Sequence, residues 1–181
     1  MSTYNEESTG RNRIMTGMFK DRESAEGAYG ALHTKGYEKD KVNLLMSDET
    51  RKKHFGHDGD HQTDLGNKAL EGAGVGSAIG GTVGAVIAAI AAIGTVVALP
   101  GLGLVIAGPL AAALAGAGAG GLTGGVVGAL VGSGIPEERA KLYESGIKEG
   151  GIVMGVEPKN EEDAKYLKEE WEKNKGEHIY Y

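Results

Sequence analysis

The chain has no cysteine among its 181 residues, which excludes disulfides, thiolate metal sites and cysteine nucleophiles and leaves no redox signature to read. Basic residues are also scarce, with 19 Lys and Arg against 25 Asp and Glu and a net charge of -6. Binding to a phosphate backbone leans on clustered cations, so this balance argues against a nucleic-acid partner. No Gly-Lys-Ser/Thr phosphate loop occurs, and no serine sits in a nucleophile elbow. The opening MSTYNEESTGRNR lacks the apolar core of a secretory signal, so a cytoplasmic start is expected. The last absence is the most informative. From Gly72 to Pro136 no residue carries a charge, and every acidic and basic residue lies in the two flanks.

The flanks read as alternating strands and helices. Residues 12–19 (NRIMTGMF) suit a strand. Asp21 is placed to cap a helix carrying Ala25, Ala28, Tyr29 and Leu32 at helical spacing, which Gly36 ends. Val42 to Met46 (VNLLM) suits a second, buried strand. After the uncharged block, Pro136 followed by Glu137 and Glu138 opens a helix that runs to about Glu149, where Gly150 and Gly151 stop it. Ile152 to Val156 reads as a third strand. Asn160 with Asp163 makes a capping pattern, Ala164, Leu167 and Trp171 form the apolar stripe of a charged helix, and His178 to Tyr181 is a short last strand. This order predicts an α+β sandwich of the ferredoxin-like, split βαβ kind, built from both flanks. Tyr29, Tyr37, Tyr143, Tyr166 and Trp171 are expected to serve its core rather than to stack on nucleotides.

The uncharged block carries glycines four apart, at Gly72, Gly76, Gly80 and Gly84 and again at Gly116, Gly120, Gly124, Gly128 and Gly132. On a helix such a row is a smooth strip along one ridge that lets backbones approach. Each interior glycine costs a helix about 1 kcal/mol relative to alanine, so something must offset the loss. Close packing through small-xxx-small strips does so, above all in lipid. Pro100 and Gly101 are placed to break a first helix and Pro109 to start a second, which predicts a helical hairpin over residues 69–134 with an apolar tip. Membrane lipid, or further copies of the chain in a soluble cytoplasmic assembly, are the expected partners of that hairpin; the cations that flank it suit both ends on the cytoplasmic side of a membrane and equally suit an ordinary surface.

Other signals are weaker. Gly74, Gly76 and Gly80 mimic part of a dinucleotide fingerprint, but NKALEGA before them suits a helix rather than a strand. His54, His57 and His61, with Asp58, Asp60 and Asp64, have residue types that bind a zinc-like ion, in a stretch whose composition equally suits a solvated linker. No catalytic group and no cofactor is expected.

FKDRESAEGAYGALHTKGYEKDKVNLL and SGIPEERAKLYESGIKEGGIVMGV resemble the segments that flank the Gly/Ala-rich middle of bacterial general stress proteins of the YflT-like, 17M-like group. The resemblance spans about Arg13 to Lys173. It implies a role under stress, and it brings no reaction or catalytic residue with it. The expected organisation is a polar N-terminus (1–11), a first part of the sandwich (12–47), a polar linker (48–68), the glycine-zipper hairpin (69–134) and the second part of the sandwich (135–181).

Overall fold

The computed structural model describes residues 14–55, 97–99, 103–111, 125–132 and 134–181. In chain order the elements are β1 (Met15–Phe19), α1 (Arg22–Thr34), β2 (Val42–Ser47), α2 (Asp48–Phe55), β3 (Val97–Leu99), β4 (Leu104–Ala107), α3 (Gly125–Gly132), α4 (Glu137–Lys148), β5 (Ile152–Val156), α5 (Glu161–Lys173) and β6 (Glu177–Tyr180). A single 3₁₀ turn (Lys39–Lys41) leads into β2. The fold is α+β.

One six-stranded sheet runs β3-β4-β2-β5-β1-β6, and every neighbouring pair is antiparallel. Because β1 and β2 both oppose β5, they run parallel to each other, with α1 as the crossover. By the same logic β5 and β6 flank β1, with α5 as the crossover. The two strand–helix–strand units therefore interleave, and each supplies the strand that fills the other's gap.

Both faces of the sheet are covered, which explains why the inner strands read as apolar runs rather than alternations. On one face α1 and α5 pack over Met15, Phe19, Leu44 and Met154, and the indole of Trp171 stands edge-on to Phe19 at 5.6 Å. On the other face α3 and α4 cover Leu45, Ile106 and Val153. Fully burying a side chain of this size contributes about 1.5–3 kcal/mol, so each layer supplies a substantial share of the fold's stability. Edge strand β6 alternates between half-buried and exposed residues.

Local signals agree with the sequence at the helix starts. Asp21 accepts from the Ser24 N–H and Asn160 from the Asp163 N–H, each at 2.8 Å, satisfying a donor that the first turn leaves over. Pro136 occupies the cap itself, one residue before the expected first helical position. Gly36 and Gly150 close α1 and α4 with φ of +69° and +95°, a conformation that glycine takes without steric cost.

Two expectations need correction. Val97–Leu99 and Leu104–Ala107, expected to lie in the arm and tip of a helical hairpin, form instead an antiparallel strand pair. Its second strand pairs with β2 from Leu44↔Ala107 to Ser47↔Leu104, and its first pairs with β4. The free edge of β2 presents unpaired N–H and C=O groups, and an apolar strand satisfies them while burying its own side chains on both faces. The helical start expected at Pro109 is present, residues 109–111 being helical. Second, the polar linker expected from residue 48 begins as the helix Asp48–Phe55. Among the described residues no helix is long and apolar enough to cross a membrane.

Candidate functional site

The seam where the uncharged block joins the sandwich is built from β2 and the turn after β4. Gly108 has φ +93°, and a Cβ placed on it would run into the carbonyl oxygen of Val42, with the Asn43 Cα at 3.0 Å. Only glycine lets the backbone turn there and pass so close to β2. Two residues on, the Leu110 N–H donates to Oδ1 of Asn43 at 2.7 Å, and Nδ2 of Asn43 faces the Gly155 carbonyl at 3.4 Å. Asn43 is 4% exposed. A polar side chain so deeply placed is costly unless bonded, so this one ties the turn to the sheet.

Beside the seam lies a cleft of about 520 Å³ lined by Ile14, Tyr37, Lys41, Asn43, Leu110 and Lys159, among others. Its polar wall is organised by the Tyr37 hydroxyl, which accepts from the Lys159 N–H at 2.9 Å and donates to Oδ2 of Asp163 at 3.1 Å. The Lys159 ammonium sits 4.5 Å from the Tyr37 ring centre and donates to the carbonyls of Lys35 and Gly36, both at 3.1 Å. Lys35 reaches Oδ1 of Asp163 at 3.3 Å and lies over the Tyr166 ring. Burial, and secondarily the Asp163 carboxylate, pushes the Tyr37 phenol above its ordinary range, so at neutral pH it remains a protonated donor. These groups lock the end of α1 to the start of α5, and each is committed to a structural partner.

A second hub crosses the other face. The Tyr143 hydroxyl lies 2.8 Å from both Thr16 Oγ1 and the His178 carbonyl. Since a carbonyl only accepts, the phenol donates to His178 and accepts from Thr16.

Of the expected helix-packing glycines, Gly128 and Gly132 fall on α3. That helix, GVVGALVG, turns Val126 and Leu130 into the core and leaves Val131 41% exposed. Gly128 is half-buried and Gly132 exposed, with nothing within 4 Å of a Cβ built on Gly132. Gly72, Gly76, Gly80, Gly84, Gly116, Gly120 and Gly124, and the tip residues Pro100 and Gly101, lie outside the described residues, whereas Pro109 is exposed at the seam. The histidine cluster is likewise split. His54 lies on α2, where its backbone carbonyl accepts from Arg22 at 2.7 Å and burial, then Lys53 and Arg22, hold its imidazole below the usual range. His57 and His61 lie outside the described residues. Among the described residues no three His, Asp or Glu side chains gather as metal ligands. Tyr29, Tyr37, Tyr143 and Trp171 are buried, and Tyr166 packs against the cluster that holds Tyr29, Tyr37 and Trp171, as expected of core aromatics.

Sequence reasoning passed over Asn43, Gly108 and the Tyr37–Asp163 pair. Two of them had a signal: an asparagine inside the apolar run VNLLM, and a Gly-Pro step at the exit of LVIA. Tyr37 and Asp163 are 126 positions apart, and nothing local links them. Compared with family models, curated proteins and solved structures, the chain matches none.

Proposed function

We propose that this chain is a non-enzymatic, self-associating protein of the general-stress kind, in which a ferredoxin-like sandwich displays an uncharged Gly/Ala-rich block to further copies of itself. The strand order β2-β5-β1-β6, with its two interleaved crossovers, supports the ferredoxin-like reading of that part of the sheet, to which β3 and β4 are an addition. The stress assignment rests on the sequence motifs around Phe19–Leu45 and Ser133–Val156.

The observation that carries self-association is α3. It belongs to the uncharged block, its inner side fills the core through Val126 and Leu130, and its outer side presents Val131 and Gly132 to solvent with no charge to solvate them. This uncharged outer side continues the uncharged block and supports a contact there between copies. The commitment of the cleft's polar groups to structural partners favours a scaffold over a catalyst.

The test is assembly size. Val131→Glu places a charge at an exposed position without touching the core. The wild type is expected to elute on a sizing column as a discrete assembly and the variant as a smaller species with unchanged circular dichroism. A monomeric wild type at all concentrations would sink the reading.

A further inference from the structure

We infer that, while β4 is part of the sheet, the uncharged runs 72–96 and 112–124 are too short to supply helical crossings of a membrane, so that insertion across a bilayer and the folded sheet are alternative states. The inference goes beyond self-association and does not depend on it. It follows from where the chain leaves and re-enters the sandwich.

β2 runs directly into α2, which ends at Phe55, and the chain is back in the same sheet at Val97. Both points are therefore on one side of any bilayer, and the segment between them must cross an even number of times. Two helical crossings need about 40 apolar residues, at about 20 each. Between Phe55 and Val97 the uncharged run is 72–96, only 25 residues, because Glu71, Lys68, Asp64, Asp60 and Asp58 precede it. Split into two arms it would reach about 18 Å at 1.5 Å per residue, short of a hydrocarbon core of about 30 Å. Paired strands would be a poor substitute, since an open pair leaves backbone groups unsatisfied in lipid and glycine and alanine are weak strand formers.

The second excursion is shorter still. The chain is held at the seam by Leu110 on Asn43, and it is back at Gly125, where α3 buries Leu130 completely. The 13 residues from 112 to 124 are too few for even one helical crossing. A hairpin over 69–134 has the length to span, but only by withdrawing β3, β4 and α3 from the fold. Those elements bury Leu104, Ile106, Val126 and Leu130 against both the sheet and α4, so their release exposes a core.

The chain has no cysteine, which makes a disulfide lock unambiguous. Ser47→Cys with Leu104→Cys, and separately Leu44→Cys with Ala107→Cys, place thiols at directly paired positions. Three steps apart on an antiparallel ladder, one of these pairs is of the closer, non-hydrogen-bonded kind, which suits a disulfide's reach. The full-length variants, oxidised and reduced, are mixed with phosphatidylglycerol/phosphatidylethanolamine vesicles, then extracted with carbonate and digested with protease. We expect at least one lock to close and the oxidised protein to yield no carbonate-resistant, protease-protected fragment, whether or not the reduced protein yields one. An oxidised protein that is resistant and protected overturns the inference, as does failure of both locks to close in well-folded protein. Neither outcome bears on assembly size in the absence of lipid, which tests self-association on its own.

Discussion

The Asn43 side chain receives the backbone N–H of Leu110 at 2.7 Å across 67 positions of sequence, and this bond joins the uncharged block to the second strand of the sandwich. The contact is buried, directional and short. Replacing Asn43 with leucine keeps the strand apolar but leaves the Leu110 N–H without a partner. A loss of about 1–3 kcal/mol is expected in denaturant unfolding, with faster hydrogen exchange at β4. Unchanged stability would mean that the seam is held by packing alone.

Two glycines predict opposite effects. Gly108→Ala brings a Cβ into the Val42 carbonyl at φ +93°, and a loss of about 1–3 kcal/mol or more is expected from strain and collision together. Gly132→Ala meets open space on α3, and a gain of up to about 1 kcal/mol is expected from helix propensity. Thermal unfolding of both variants under identical conditions checks the contrast. A gain at Gly108 would contradict the described turn.

Alkaline pH should weaken the fold through its buried phenols. Burial raises Tyr29 to about 12 and moves Tyr143 and Tyr37 in the same direction. A raised folded-state value means that stability is fully present below the unfolded value near 10 and is lost as pH rises from there through the folded value. The phenols' contribution is therefore expected to be constant from neutral pH to about 10 and to fall between about 10 and 12, with Tyr29→Phe flattening that fall. A Tyr29→Phe curve that coincides with the wild type would remove this phenol from the account.

Trp171 is the only tryptophan and is completely buried, edge-on to Phe19 and against Gly17. Its emission is expected to be blue-shifted in the native state and to report unfolding directly. Trp171→Ala should cost about 3–5 kcal/mol, the range for deleting a large core aromatic. A red-shifted native emission would place the ring in water and contradict the packing of α5 on the sheet.

In the flanks, sequence and structure agree because each signal there is local. Asp21, Asn160, Gly36 and Gly150 act on the backbone within a turn of themselves, and the strand at Ile152–Val156 is bounded by Gly150 and Gly151 on one side and Pro158 on the other. The candidate site was less legible. Tyr37 and Asp163 meet only because α1 and α5 lie side by side, and the spacing of neither residue announces the other.

The uncharged block divides the two levels most sharply. Its composition alone establishes that residues 72–136 offer no charge to water, and the flanks alone establish the order of strands and helices around it. Whether VAL and LVIA become helix or strand is not decided by their own residues. Short apolar runs inside an apolar block have no polar face, so no periodicity separates the two conformations. The decision comes from β2, whose open edge offers a ladder of hydrogen bonds and two apolar layers to any strand that reaches it, and from Gly108 and Asn43, which hold the chain where that ladder closes.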